Sequence, residues 1–177
     1  MNTVSVVFSE EQIQKRVREI ALEISRDCGD EVLQVVGVLE NGFIFMADLV
    51  RKLTCPVICQ FIRTKLEDST VDAQAVQSIV YSLICDIKAK SLLLVDGVVG
   101  SGITHDYLVQ QLLLKKPKSL RTAALIDRAD SRRVAFRLDY AGFSWDGGHL
   151  VGYGLSSDGL YRNLSYVGAV TTAAEAA

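Results

Sequence analysis

Hydrophobic residues near the start of the chain recur at helical spacing. Ser9 and Gln12 are three residues apart, which is the spacing of a capping box, and Gly29 is a residue type that often ends a helix. Between these signals the apolar positions lie three or four residues apart: Ile13, Val17, Ile20, Ala21 and Ile24. The pattern therefore predicts a helix over residues 10–28 with one buried face.

The rest of the chain alternates short apolar runs with amphipathic segments. Apolar runs of strand length cover residues 32–39, 56–63, 92–95, 120–126, 140–143 and 150–155. Helical spacing covers residues 43–53, which the Cys55-Pro56 pair interrupts, and residues 104–114. Strands that alternate with helices predict an α/β fold with a mostly parallel sheet flanked by helices.

Polar segments separate these elements. Residues 64–75 predict a loop, residues 127–133 a charged turn and residues 171–177 a frayed tail, whereas residues 76–83 fit either a strand or a short helix. There is no internal repeat and no linker, so residues 1–170 are predicted to form a single domain. In such a sheet the ligand binds at the carboxyl ends of the strands, where the loops after Leu39, Val95 and Ile126 are expected.

The segment that follows the apolar run 92–95 is rich in glycine and hydroxyl groups. Asp96 ends the predicted strand, Gly100 and Gly102 permit close approach of the backbone, and Thr104 opens a helix. A glycine loop that leads into a helix directs backbone N–H groups and the helix dipole towards one point, and Ser101 and Thr104 add hydroxyl donors. The segment predicts a phosphate site; a tight turn that needs small residues is the alternative.

Composition excludes several classes of partner. The chain has 177 residues, of which 23% are charged, and its formal net charge is −2, which argues against nucleic acid or an anionic membrane surface as a partner. The mean hydropathy is high at +0.24, but the apolar runs have the length of strands, so no membrane span is predicted. The N-terminus lacks the pattern of a secretory signal, and the expected location is the cytoplasm.

The cysteines do not form a metal-binding pattern. Cys28, Cys55, Cys59 and Cys85 are irregularly spaced, and the chain has 2 histidines, so a zinc site would need all four thiols. They are predicted to be reduced residues in or near the core.

Several motifs resemble those of a known family. Residues 96–104 resemble the diphosphoribosyl-binding motif of the type I phosphoribosyltransferases, in particular the branch that acts on the 6-oxopurines hypoxanthine and guanine. Further similar segments cover residues 36–43, 61–63, 125–128, 139–143 and 150–164. The resemblance extends over residues 8–170, and on these motifs the chain is identified as a member of the family.

The resemblance implies a fold, a reaction and partners. The implied fold is the type I phosphoribosyltransferase fold, with a small hood built from the chain ends. The implied reaction is a purine-salvage glycosyl transfer, in which a 6-oxopurine displaces pyrophosphate from phosphoribosyl diphosphate with the help of Mg²⁺. A homodimer or homotetramer is expected, and the helix around Phe43, Phe45 and Met46 is the predicted interface.

The resemblance also assigns residues to the site. The phosphoribosyl group and its 5′-phosphate are assigned to Asp96, Val98, Val99, Gly100, Ser101, Gly102, Ile103 and Thr104. Pyrophosphate is assigned to Leu39, Glu40, Asn41, Gly42 and Arg162, and the purine to Arg128, His149 and Leu150. Asp96 is the one side chain of the loop that matches a metal-binding acid.

The chain departs from the family pattern at the acids. Gly97 stands in place of the second acid, Gly100 in place of the usual general base and Ser156 in place of an aspartate that would bind Mg²⁺. Glu40 stands where the family has a lysine, and a carboxylate there would repel pyrophosphate. The segment 64–75 lacks the tyrosine of the family's mobile loop. Two functions therefore stay open: the transferase, and a catalytically degenerate relative that binds a purine nucleotide or phosphate as a sensor.

Structural roles compete with these assignments at single residues. Ser101 and Thr104 could serve as helix caps, and Arg128 could be a solvated charge of a turn. Three further residues have a structural alternative as well: Arg162 could pair with Asp158, His149 could be a packing or surface residue, and Asp96 could be a turn former. His105, at the start of a helix, could contact a phosphate, but the commoner outcome for such a residue is exposure. Trp145 and Tyr153 are expected in the core or an interface.

Overall fold

The computed structural model describes residues 3–67, 76–81 and 86–171, with the backbone alone described for 64–67 and 76–81. The helices are α1 (Glu10–Cys28), α2 (Phe43–Val50) and α3 (Ile103–Leu113), and Ala129–Ser131 form a short 3₁₀ turn. The strands are β1 (Thr3–Phe8), β2 (Leu33–Leu39), β3 (Val57–Glu67), β4 (Val76–Tyr81), β5 (Ser91–Val99), β6 (Ser119–Asp127), β7 (Tyr140–Ser144), β8 (Leu150–Val151) and β9 (Val167–Thr171).

The main sheet has the strand order β4-β3-β2-β5-β6-β7. β3, β2, β5, β6 and β7 are parallel, and β4 joins one edge in the antiparallel direction. The predicted fold class is confirmed. β2 and β5 are neighbours, but the chain continues from β2 outwards to β3 and from β5 outwards to β6. This reversal of strand order places a binding crevice beyond the carboxyl ends of β2 and β5.

A second sheet is built from both ends of the chain. β1, β9 and β8 form a three-stranded antiparallel sheet, in which Thr3 pairs with Thr171 and Leu150 with Ala169. This is the small hood that the family resemblance implied, although the hydrophobic pattern alone did not reveal β1 or β9. Thr171 belongs to β9 and not to a frayed tail; residues 172–177 lie outside the described part of the chain.

Helices cover both faces of the main sheet. The side chains of β5 alternate between the two sides: Leu93 and Val95 pack with α1 and α2, whereas Leu92 and Leu94 pack with α3. A parallel strand that is buried on both faces explains the continuous apolar run 92–95. All five apolar positions predicted for the buried face of α1 are at most 2% exposed.

The capping signals of α1 are also confirmed. The Ser9 hydroxyl accepts a hydrogen bond from the Gln12 N–H, and the Gln12 side chain accepts one from the Ser9 N–H. Gly29 ends the helix with a positive φ of 59°.

Two strands extend further than the apolar pattern indicates. β3 continues to Glu67 because β4 pairs with it, so the prediction of a loop is wrong for residues 64–67; residues 68–75 lie outside the described chain. Residues 76–81 are a strand, which decides between the two alternatives for that part of the segment; residues 82 and 83 lie outside the described chain. β5 passes Asp96 and reaches Val99, since Val98 and Val99 still pair with β6.

Three other elements differ from their predicted bounds. α2 ends at Val50, and β8 covers only Leu150–Val151 because the chain turns at Gly152, whose φ is +94°. α3 begins at Ile103, one residue before the predicted start.

The predicted subunit interface on α2 is largely wrong. Phe45 and Met46 are 0% and 2% exposed because they pack into the core beneath the sheet, while Phe43 is 40% exposed.

The cysteines agree in part with their predicted burial. Cys55 is buried and Cys28 half-buried, but Cys59 is exposed because it lies on the face of β3 opposite Gln60 and Ile62. Cys85 lies outside the described residues. Within the described ranges no helix combines the length and apolar character of a membrane span.

Candidate functional site

The predicted phosphate segment lines a cavity at the carboxyl end of β5. We call residues 96–104 the glycine loop. The cavity has a volume of about 130 Å³ and is lined by Asp96, Val98, Val99, Gly100, Ser101, Gly102, Thr104 and His105. All of these except His105 were assigned from the sequence. Ile103, which was also assigned, is 45% exposed and is not among the lining residues.

Gly102 directs the loop into α3. Its φ is +80°, and a β-carbon at this position would lie 2.9 Å from Val134 Cγ2, so both conformation and packing require glycine. Gly102 is also the N-cap of α3. The first N–H groups of a helix have no partner within the helix, and Thr104 and His105 of the first turn line the cavity. The arrangement is suited to binding an anion such as a phosphate.

A carboxylate and an imidazole lie side by side in the lining of this cavity. Asp96 Oδ1 accepts a hydrogen bond of 2.7 Å from the Gly97 N–H, and Asp96 Oδ2 is 3.7 Å from His105 Nδ1. His105 is only 3% exposed and its ring centroid is 4.9 Å from that of Phe136, so the expectation of an exposed histidine is wrong. His105 precedes the buried Leu108 and Leu112 at helical spacing, a signal that sequence reasoning missed.

Four of the five residues assigned to pyrophosphate lie at the carboxyl end of β2, directly beside the glycine loop. We call residues 39–42 the β2 loop; a β-carbon on its Gly42 would lie 3.2 Å from the Gly97 nitrogen. Arg162 reaches this loop and donates through Nη1 to Asn41 Oδ1 at 2.7 Å and to the Gly154 carbonyl at 2.6 Å. The alternative pairing of Arg162 with Asp158 is wrong, because the arginine turns inwards while Asp158 is exposed.

Glu40 is surrounded by cations. Its Oε2 is 3.1 Å from Arg162 Nη2, and its Oε1 pairs with Arg63. Leu39, Phe43 and Phe61 line an apolar pocket of about 410 Å³ beside Glu40 and Arg162. The carboxylate that the sequence placed in the β2 loop is therefore paired with two arginines, in an ion cluster next to an apolar surface. Arg63 and Phe61 were not predicted as site residues.

The residues assigned to the purine have different environments. Arg128 is half-buried and donates through Nη2 to the Gly147 carbonyl at 2.6 Å, so it is not a solvated turn charge. His149 is exposed, and its Nε2 is 3.0 Å from the Ser156 carbonyl. Leu150 is 6% exposed and belongs to the core, so its side chain is not part of an open surface.

Two aromatic residues near this region have structural roles. Trp145 is partly buried, packs edge-on against Phe8 and donates from Nε1 to the Gly148 carbonyl at 2.9 Å. Tyr153 is 3% exposed, as expected for a core residue.

Comparison with known proteins identifies the family. The family model of the phosphoribosyl transferase domain matches residues 5–157. The chain belongs to this family.

Similar phosphoribosyltransferases match nearly the whole chain. The hypoxanthine-guanine phosphoribosyltransferase of Aquifex aeolicus is 37% identical over 163 residues, which are 92% of this chain and 92% of that protein. That of Bacillus subtilis is 32% identical and covers 95% of this chain and 93% of its own. The crystal structure of the Bacillus anthracis hypoxanthine-guanine phosphoribosyltransferase has a TM-score of 0.89 and 31% identity, and covers 97% of this chain and 100% of that chain. The chain therefore falls in the hypoxanthine-guanine branch.

The two glycines that replace acids in this phosphoribosyltransferase differ in their surroundings. A β-carbon at Gly97 would lie 2.3 Å from the Asn41 carbonyl oxygen, because the β2 loop fills that space. A β-carbon at Gly100 would have no heavy atom within 4 Å. A carboxylate at position 100 would fit the existing backbone, whereas one at position 97 would displace the β2 loop.

A buried hydrogen-bond cluster positions the C-terminal segment of the phosphoribosyltransferase. The Tyr153 hydroxyl donates to Asp48, which also accepts from Gln14 and pairs with Arg51. Burial alone would raise the pKa of Asp48, but the hydrogen bonds from Tyr153, Gln14 and Arg51 outweigh it and hold that pKa below its ordinary value. Burial and the bond to Asp48 raise the pKa of Tyr153, which therefore stays a neutral donor.

Proposed function

We propose that this chain transfers the phosphoribosyl group of phosphoribosyl diphosphate to hypoxanthine or guanine in a purine-salvage reaction. A bond forms between a purine ring nitrogen and ribose C1, the bond from C1 to the diphosphate oxygen breaks, and pyrophosphate leaves with the electron pair. The observation that carries the proposal is the glycine-loop cavity at the point where the strand order reverses, in a chain of the hypoxanthine-guanine branch. The relatives are named as transferases, which favours this reaction over a nucleotide sensor.

The residues of the glycine loop bind and orient the sugar. In our proposal the first N–H groups of α3 and the hydroxyls of Ser101 and Thr104 hold the 5′-phosphate. Asp96, in the lining of the same cavity, orients the ribose hydroxyls through Oδ2, since its Oδ1 is engaged by Gly97. On the purine side, Arg128 donates to the 6-oxo group and His149 offers its exposed ring for stacking. No loop carboxylate replaces the base missing at Gly100, so the purine proton passes to solvent.

The described residues of the site offer few ligands for Mg²⁺. Among the residues that the structure describes, no group of three or more His, Cys, Asp or Glu side chains could hold a metal ion. Mg²⁺ commonly needs only one or two carboxylates besides substrate phosphates and water, and Asp96 Oδ2, the same oxygen that faces the ribose hydroxyls in our proposal, is not engaged by the Gly97 N–H. We therefore propose that Asp96 is the glycine-loop residue that would hold Mg²⁺ together with the substrate's diphosphate; a bound ion would supply positive charge to stabilise the pyrophosphate leaving group.

A direct assay tests the function. Purified protein is mixed with Mg²⁺, phosphoribosyl diphosphate and either hypoxanthine or guanine, and the nucleotide is measured by chromatography. We expect IMP or GMP above a blank without protein, and a large loss with Ser101→Ala combined with Asp96→Asn. A variant at the other end of the sheet, Glu31→Gln, should retain activity, because Glu31 contacts Ser91 at the start of β5. Absence of product with both purines would overturn the proposal.

A homo-oligomer stays part of the proposal. A structure of the Trypanosoma cruzi relative comes from work on how its C-terminal region affects oligomeric state and activity; it has a TM-score of 0.88 and 29% identity. Of the helix predicted as an interface, Phe43 is 40% exposed and can contact a partner subunit, whereas Phe45 is buried in the core. Light scattering after size exclusion would give the mass.

A further inference from the structure

The ion cluster of the β2 loop contains its own anion. Glu40 lies between Arg63 and Arg162, and the side chains of these three residues are 45%, 53% and 23% exposed. The cluster therefore opens to solvent, where a dissolved anion could reach it. With Glu40 in place, its formal charge is +1; without that carboxylate, it would be +2.

Hydrogen bonds that do not involve Glu40 hold the Arg162 side chain in position. Its Nη1 is engaged by Asn41 Oδ1 and the Gly154 carbonyl, whereas its Nη2 faces Glu40. One side of the guanidinium thus anchors the arginine to the protein, and the other is available to whichever anion is present. Release of Glu40 would expose a donor without rearranging the anchor.

This cluster is adjacent to the glycine loop. The Asn41 carbonyl and Gly42 contact the backbone of Gly97, so Glu40 and Arg162 lie one loop away from the cavity of Ser101 and Thr104. A ligand with one phosphate needs the glycine loop alone. A ligand that carries a second, multiply charged phosphate group towards the β2 loop meets the carboxylate of Glu40 first and competes with it for Arg162.

We propose that Glu40 is a specificity-determining residue: a resident counter-anion that occupies Arg63 and Arg162, weakens the binding of diphosphate groups and leaves the binding of monophosphates unchanged. The inference rests on the proposed function for the identity of the ligands, but binding alone tests it. Coulomb repulsion between the carboxylate and a diphosphate disfavours binding, and displacing Glu40 sacrifices two ion pairs.

Calorimetric titration with pyrophosphate, in the absence of Mg²⁺ and at low salt, measures the effect. For Glu40→Gln we expect pyrophosphate to bind roughly three- to tenfold more tightly than to the unaltered protein, as expected for the removal of a partly exposed carboxylate. GMP, which has one phosphate, should change by less than about twofold, and high salt should reduce the gain because it screens exposed charges.

Two variants control for charge and for the arginines. Glu31→Gln removes the same charge from another exposed ion pair, with Lys118, and should leave both ligands unaffected. The double variant Glu40→Gln, Arg63→Gln should bind pyrophosphate less tightly than Glu40→Gln alone. Melting temperatures of all variants establish that they are folded.

The outcomes separate this inference from the proposed function. Unchanged pyrophosphate affinity in Glu40→Gln, an equal gain for GMP, or the same gain in Glu31→Gln would overturn the role of Glu40, even if the protein forms nucleotide. Pyrophosphate that binds to none of the variants would overturn it as well. Conversely, the expected pattern of affinities in a protein that forms no nucleotide would support Glu40 and contradict the transferase.

Discussion

At the scale of single residues, the same substitution of an acid by glycine has different consequences at two positions of the glycine loop. Gly97 is in contact with the Asn41 carbonyl, so the β2 loop has taken the space of a side chain. Gly100 faces open space. The family pattern identifies both departures. Only the packing shows that a side chain can be restored at position 100 without a clash, whereas a side chain at position 97 would meet the β2 loop.

Restoring a carboxylate at position 100 should increase transferase activity. We expect Gly100→Asp to raise kcat by about 10- to 100-fold, below the full 10²–10⁴-fold that a positioned general base contributes, because the neighbouring acid remains absent. Gly100→Asn has nearly the same shape but cannot take a proton, so it should not raise kcat. Steady-state rates with guanine check this, and equal rates for the two variants would show that proton removal is not limiting.

Substitution of the two glycines by alanine should affect the stability of the protein differently. Gly97→Ala is expected to lower the free energy of unfolding by about 1–3 kcal/mol, the usual cost of overpacking, since its β-carbon approaches backbone that cannot rotate away. Gly100→Ala should change it by less than about 0.5 kcal/mol, as is typical of substitutions without a packing conflict. Urea denaturation of both variants gives the comparison; similar losses would contradict the contact with Asn41.

At the scale of elements, local sequence signals are sufficient to predict the bounds and the buried face of α1. Its capping box, its buried face and its terminal glycine all appear in the sequence within one turn of the residues they affect. For β3 and β5, local signals are not sufficient. Each strand extends past its apolar run because a neighbouring strand supplies hydrogen-bond partners. Those partners are far away in sequence and leave no local pattern.

Loss of the α1 cap should destabilise the protein measurably. Ser9→Ala removes the acceptor for the Gln12 N–H and is expected to cost about 1 kcal/mol of unfolding free energy. Ser9→Asp keeps an acceptor at the helix N-terminus and should retain most of the stability. Chemical denaturation followed by circular dichroism measures both, and an undiminished midpoint for Ser9→Ala would show that the cap is dispensable.

At the scale of the whole molecule, the cluster around Asp48 connects distant segments. Gln14 comes from α1, Asp48 from α2 and Tyr153 from the C-terminal block that also carries Arg162. The cluster thus joins the helices on one face of the sheet to the segment that reaches the β2 loop. Its members are too far apart in sequence for any periodicity to reveal their contact.

Stability should depend on the ionisation of Asp48. Because its pKa is lower in the folded than in the unfolded protein, its contribution is fully present above the unfolded pKa of about 3.9 and disappears as the pH falls through the folded pKa. Asp48→Asn should therefore cost roughly 1–3 kcal/mol at pH 7, because the amide keeps one acceptor oxygen but loses the other together with the negative charge. The cost should shrink below pH 4. Urea titrations from pH 3 to pH 7 check this, and a cost independent of pH would contradict the ionised role.

The features of the candidate site also divide into those that the sequence predicts and those that it does not. Ser101, Gly102 and Thr104 could be predicted because a strand, a glycine loop and a helix start follow one another in sequence. The burial of His105 could also have been inferred from its helical spacing with Leu108 and Leu112, but the anchoring of Arg162 at Asn41 and the pairing of Glu40 with two arginines could not be predicted. Each of these depends on which loops meet at the strand ends, and that is set by strand order.

The sequence by itself determined the alternation of strands and helices, the extent of α1 and the location of the glycine loop, since these follow from the spacing of neighbouring residues. The family resemblance implied a hood built from the chain ends, but only the tertiary structure decided that β1, β9 and β8 pair in it, that the β2 loop closes over Gly97 and that Glu40 is paired with two arginines. Hydrophobic periodicity acts over a few residues, whereas strand pairing and charge compensation depend on contacts between segments that are remote along the chain.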